Sequence, residues 1–176
     1  MKRRIVGVAA FGVLAFGCSS TPKAPAPAAT AAALLEPKSG STVEGAAVFT
    51  EQADGRVALK LDVANAPPGK HAVHLHVNGD CSAPDGASAG GHWNPNGDAH
   101  GKWDHAPFHL GDIGNLEVGE DGKGSVTLTT DAWKISGEPN GVVGRSVVVH
   151  GGVDDFTSQP AGNAGNRIAC GVVRPG

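Results

Sequence analysis

His71–Val77 reads HAVHLHV, and its alternation decides the fold. Successive side chains of a strand leave opposite faces, so His74 and His76 share one face while Val73, Leu75 and Val77 point the other way, toward a core. The turn-forming NAPPGK leads the chain into this run. Upstream, GAAVFTE (45–51) and RVALKLDVA (56–64) flank a turn-like QADG, and Val57, Leu59, Leu61 and Val63 alternate with smaller or polar neighbours. Downstream, SVTLTT (125–130) follows the turn EDGKG, SVVVH (146–150) follows GEPNGVVGR, and IACGVV (168–173) closes the chain. No window of eleven or more residues carries a helical stripe. The 27 glycines and 12 prolines suit short strands joined by turns. The 176 residues therefore predict one all-β domain, a sandwich or barrel, carrying two long loops, Gly79–Asp112 and Gly151–Arg167. Loops of that length in a compact domain are usually functional.

The first loop holds GHWNPNGDAHGKWDHAPFHLGD (91–112), in which four of the eight histidines lie between His92 and His109. The segment is too rich in Gly, Pro, Asn and Asp for a helix or strand. Imidazole nitrogen suits copper and zinc, and four nitrogens around one ion make a tetragonal copper(II) environment. His74, His76, His92 and His150 offer such a set. His100, His109 and Asp112 add three more donors, and three imidazoles with one carboxylate close a tetrahedral zinc site, leaving no position for a water. A closed site points to a structural metal.

The N-terminus has the character of a targeting segment. MKRR is followed by the apolar run IVGVAAFGVLAF, whose twelve residues fall short of the roughly 20 that span a membrane. It ends in AFGC, which resembles a lipoprotein cleavage site with Cys18 as the lipid attachment point, although Ala15 stands where leucine is usual. The expected organisation is a lipoprotein-type signal peptide at 1–18, a Pro/Ala-rich tether at 19–33 and a folded domain at 34–176. The expected location is the bacterial cell envelope, exported and lipid-anchored, facing the periplasm or in the outer membrane as Ser19 after Cys18 suggests. With Cys18 lipidated, Cys81 and Cys170 remain as an even pair, free to join in an oxidising compartment. Loss of residues 1–18 removes three basic residues and no acidic one, leaving 11 against 17 and a net charge near −6. No basic run suggests nucleic acid.

HAVHLHVNGDC, SAGGHWNP, AHGKWDHAPFHLGDIGNL, VVVHGGVDD and GNAGNRIACGVV together resemble the copper/zinc superoxide dismutase family, over about Ala46 to Val173. The resemblance implies a Greek-key, eight-stranded flattened barrel of immunoglobulin-like sandwich type. It implies copper on His74, His76, His92 and His150, and zinc on His92, His100, His109 and Asp112, so that His92 bridges the two ions. It further implies that Asp154 hydrogen-bonds His74 and His100 from outside both sites, that Arg167 stands beside the copper channel, and that Cys81 and Cys170 form a disulfide. His71 matches a non-ligand histidine that braces backbone, and His105 matches nothing. The implied reaction is disproportionation of superoxide, with His92 as proton carrier and Arg167 attracting and hydrogen-bonding the anion. The family holds monomers and dimers, so the resemblance implies no oligomeric state.

The second loop departs from the family in having no Lys or Glu between Asp155 and Arg167, and in placing Ala161 where a channel-lining threonine is common. Lys102 is a candidate to steer the anion in their place. Trp93 stands where Phe is commoner, with packing as its expected role. Two other classes fit parts of the pattern. A zinc hydrolase is disfavoured because Asp112 fills the fourth position, and a copper-storing lipoprotein because Arg167 and the shared His92 are both retained.

Overall fold

The computed structural model describes residues 28–176. The expected signal segment, Cys18 and most of the expected tether lie outside the described residues. Nine strands follow in chain order: β1 (Thr30–Pro37), β2 (Glu44–Glu51), β3 (Val57–Ala64), β4 (Gly69–His76), β5 (Asp112–Val118), β6 (Gly124–Thr130), β7 (Ser146–His150), β8 (Arg167–Val172) and β9 (Arg174–Pro175). The only helical piece among the described residues is a 3-10 turn at Ala87–Ala89, and no helix there is long and apolar enough to cross a membrane. All pairings between strands are antiparallel. The order β1-β2-β3-β6-β5-β4-β7-β8 closes on itself because β1 pairs with both β2 and β8, while β9 adds a short pairing to β1. Placing β6 and β5 between the consecutive strands β3 and β4 makes the Greek key.

Period-two patterning fills the barrel. Val57, Leu59, Leu61 and Val63 of β3 are buried, and Lys60 and Asp62 between them are exposed. Val73 and Leu75 of β4 and Val147 and Val149 of β7 join the same core with Phe49 and Trp133. Val77, expected to point inward with Val73 and Leu75, lies beyond the end of β4 and is 40% exposed. Trp93 is fully packed in the core, with the Arg145 guanidinium 5.1 Å from its ring centre.

The fold begins earlier than the sequence predicted. Residues 30–33, expected in the tether, form half of β1, with Ala31 and Ala33 buried and the strand paired with β2 from Thr30↔Thr50 to Leu35↔Gly45. The segment is a strand because its partner supplies the hydrogen bonds and its methyls fit a closely packed wall, not because of local propensity. β5 also went unread, as its Asp112 start and Gly114 weaken the strand signature. Besides the two long loops there is a third long connection, Asp131–Arg145, which is structural: it carries Trp133, Ile135 and Val142 into the core, and the Trp133 indole N–H donates to the Leu110 carbonyl at 2.9 Å.

Candidate metal centre

The histidines stand on the outer wall of the barrel. In β4 and β7 every second residue enters the core, so His74, His76 and His150 face outward, where the two long loops cover them and leave each 4% exposed or less. Bulges interrupt the pairing between Val73 and His74 and between Val149 and His150, re-aiming the strands where the donors begin. Past His74, β5 no longer pairs with β4, and the segment 91–93 takes its place. Val77 N–H donates to Gly91 O at 3.0 Å, Trp93 N–H to Leu75 O at 2.8 Å, and His92 forms an isolated bridge with His76. A 22-residue loop segment that looked shapeless in sequence is thus anchored as a short extension of the sheet.

Two ligand sets meet at His92. The donor atoms of His74, His76, His92 and His150 lie within 4.8 Å of one another. His76 Nδ1 lies 2.8 Å from Gly90 O and His150 Nδ1 lies 3.3 Å from Gly165 O. A carbonyl only accepts, so in both neutral rings the proton sits on Nδ1 and Nε2 carries a lone pair. Those two Nε2 atoms face each other at 3.4 Å. Facing lone pairs repel unless a cation lies between them, and a proton is disfavoured there: burial pushes His76 down to about 2 and His150 down to about 3. His74 is likewise lowered by burial to about 4.

The second set surrounds one carboxylate oxygen. Asp112 Oδ1 lies 2.8 Å from His92 Nδ1, 3.0 Å from His100 Nδ1 and 3.3 Å from His109 Nδ1. Its other oxygen accepts the backbone N–H groups of His109 at 2.8 Å and Gly101 at 3.1 Å. Burial alone would raise this carboxyl, but the nearby ring nitrogens of His100 and His92 and the two amides outweigh it and hold it far below the usual range. His74 also comes within reach of this set. Its Nε2 is taken by Asp154, however, and its one remaining nitrogen serves the first set, whereas His109 Nδ1 lies 3.4 Å from His92 Nδ1.

Asp154 ties the sets together, with Oδ2 2.8 Å from His74 Nε2 and Oδ1 2.9 Å from His100 Nε2. That leaves two buried nitrogens with no partner, His74 Nδ1 and His92 Nε2, while His100 Nδ1 has only its contact with Asp112 Oδ1 at 3.0 Å, off hydrogen-bond geometry. Orphaned buried donors or acceptors are rare in native proteins. These three are aimed into the two ligand sets, and the donor chemistry fits copper and zinc. For His100, burial opposes charge, but the hydrogen bonds and charges of Asp112 and Asp154 prevail and raise it to about 9, so without a metal a proton occupies that position.

Both ring nitrogens of His71 face carbonyls, His150 O at 2.9 Å and Pro67 O at 2.8 Å, the bracing role expected of it. His105 is exposed and outside the cluster. A cavity of about 510 Å³ opens over the first set, lined by His76, His92, His150, Ala161 and Arg167. Arg167 lies across the sheet from His150, and its Nη1 and Nη2 donate to Gly86 O and Gly90 O, each at 2.6 Å. The Cys81–Cys170 disulfide ties the loop bearing those carbonyls to β8. Lys102 lines a separate cavity with Lys70, Trp103 and Phe156, which leaves Arg167, among the described residues, as the one lysine or arginine in the wall of the histidine cavity. Sequence reasoning missed Gln159, whose side-chain amide pairs with the His100 backbone in both directions at 2.9 Å.

The family described as copper/zinc superoxide dismutase matches residues 43–173. "Superoxide dismutase [Cu-Zn] 2" of Brassica juncea is 38% identical over 141 residues, covering 77% of this chain and 91% of that protein. Among solved structures, the clock protein EA4 is similar with a TM-score of 0.75 and 34% identity, over 88% of this chain and 99% of that one.

Proposed function

The chain belongs to the copper/zinc superoxide dismutase family, and from that premise we propose that His74, His76, His92 and His150 hold copper, that His92, His100, His109 and Asp112 hold zinc, and that His92 serves both. The enzyme disproportionates superoxide to dioxygen and hydrogen peroxide, with copper and zinc as its cofactors. The observation that carries the residue assignment is the pair of buried, partnerless nitrogens His74 Nδ1 and His92 Nε2, together with the two Nε2 lone pairs facing each other at 3.4 Å.

Copper, when bound, supplies the one-electron exchange that oxidises one superoxide and reduces the next, and zinc supplies a fixed positive charge. The residues supply the rest. His92 presents Nδ1 to the Asp112 side and Nε2 to the first set. Nε2 is the atom that takes up a proton and hands it to the reduced substrate, the second proton coming from solvent. Asp154 engages Nε2 of His74 and of His100, which leaves Nδ1 of each ring as the atom that would hold a metal. Arg167 draws the anion into the cavity and donates to it, and its two carbonyl contacts hold the guanidinium in place in the cavity wall. Fields focused in a cleft raise association by about 10–10³-fold, a range for which superoxide dismutases are themselves a standard example.

Metal analysis and a superoxide assay on the purified protein, beside His92→Ala, test this reading. Copper and zinc in equal amounts with fast dismutation are expected, and the variant should lose most of the activity. Bound copper without dismutation would select a storage role instead.

Attachment to the cell envelope through lipid on Cys18 belongs to the same proposal. It is supported by the basic start MKRR and the apolar run ending at AFGC. Fatty-acid labelling that survives Cys18→Ala would refute it.

A further inference from the structure

His100 is gripped along its whole length by the second loop. Its ring Nε2 meets Asp154 Oδ1 at 2.9 Å. Its backbone N–H donates to Gln159 Oε1 at 2.9 Å, and Gln159 Nε2 donates back to His100 O at 2.9 Å. One side-chain amide thus pairs with one peptide unit as a neighbouring strand would. Among the described residues, the His100 backbone makes no other hydrogen bond. The turn that delivers Gln159 is itself well ordered: Asp155 Oδ1 accepts the N–H groups of Thr157 at 2.9 Å and Ser158 at 2.8 Å, and Gly162 N–H donates to Ser158 O at 2.7 Å. Gly162, with φ +64°, packs bare backbone on the Asp154–His100 contact, where a Cβ would overlap Asp154 Oδ1 and lie 2.6 Å from His100 Nε2.

We propose that Gln159 is a positioning residue of the metal centre, fixing where His100 Nδ1 stands relative to Asp112 and thereby governing how tightly zinc is held. The proposal rests on the assignment of His92, His100, His109 and Asp112 to zinc made above. His100 is the donor of that set most dependent on the second loop. His92 is anchored by the β4 extension, and His109 and Asp112 sit three residues apart at the start of β5. Both bonds are part-buried, so removing the amide hands the His100 N–H and C=O to water and takes away the contact that fixes this part of the loop. The copper set, built on β4 and β7, does not depend on Gln159 for its backbone.

The test is cobalt(II) titration of the metal-free protein, read from the visible absorption of a tetrahedral site and calibrated by chelator competition. Gln159→Met keeps side-chain length and removes both hydrogen bonds. Gln159→Glu keeps the acceptor and removes the donor, and serves if the first variant fails to fold. Wild type should give the tetrahedral bands. Gln159→Met should bind cobalt about 10-fold or more weakly, with displaced bands, as loss of an outer partner of a ligand does elsewhere, and Gln159→Glu should fall between the two. Wild-type affinity and band positions in a folded variant would overturn the proposal. A wild-type chain that forms no tetrahedral cobalt site would overturn the zinc assignment itself and this proposal with it.

Discussion

Opening the Cys81–Cys170 disulfide releases a ring closed across 89 residues. In the chain-entropy treatment, a ring of that size constrains the unfolded chain by about 4–5 kcal/mol at 25 °C. A domain spanning residues 30–176 unfolds with an entropy of about 0.3 kcal/mol/K. The quotient is a fall of about 15 °C in Tm. Calorimetry on metal-free protein isolates the effect from ligand stabilisation, with and without a phosphine reductant and on the Cys81→Ser/Cys170→Ser pair. Both routes should give one cooperative transition at the same lowered temperature. The metallated, reduced protein should also lose rate, because the disulfide holds the loop whose Gly86 and Gly90 carbonyls fix Arg167. A Tm shift under about 3 °C would refute the entropic reasoning, since nothing else in the argument scales with ring length.

Arg167→Ala should slow dismutation about 10-fold or more at low ionic strength, and the deficit should shrink as salt screens the field; Arg167→Lys should fall between, keeping charge but losing the two-carbonyl fork, and unchanged turnover at low salt would end the assigned role. Zinc uptake should release a proton. The folded value for His100, about 9, lies above its ordinary 6.5, so the stability this group contributes is complete below 6.5 and fades as pH rises through 9. At pH 7.5 the proton is still bound and must leave, so calorimetry in two buffers of different ionisation enthalpy should find about one proton released per zinc, falling toward none above about pH 10. No release at pH 7.5 would contradict the Asp112–His100–Asp154 geometry. A chain starting at Leu34 discards Ala31, Ala33 and four of the six register pairs of the β1–β2 ladder. It should melt about 10 °C below one starting at residue 28, for a loss of about 3 kcal/mol from two buried methyls and the lost hydrogen bonds, and equal melting would show that those pairs carry no stability.

Where a strand announces itself by alternating large and polar side chains, as in Val57–Ala64 or His71–His76, the sequence was enough. Thr30–Pro37 failed that test because alanine is neutral between tether and strand; its partners β2, β8 and β9, and the close approach of Gly171 to Leu34, make it part of the wall. The donor set was legible because imidazoles in Gly-rich loops have few other uses, and because the family's motifs recur with their spacing. What reads as a list of histidines, however, contains no hint of which nitrogen each ring spends on backbone. That depends on carbonyls such as Gly90 O and Gly165 O that the topology alone brings near. Gln159 was invisible for the same reason. An exposed glutamine carries no signature, and its partner lies 59 positions away in another loop.

The placement of His74, His76 and His150 on the convex side of the wall has a consequence for how such a protein can change over generations. The apolar filling of the cylinder, Val73, Leu75, Val147 and Val149 among it, never touches the chemistry. A lineage can therefore redraw the exposed stretches of residues 77–111 and 151–166, swapping one entrance or one steering charge for another, so long as Trp93, Leu110 and the site residues stay in place. Catalysis here is upholstery on a finished frame.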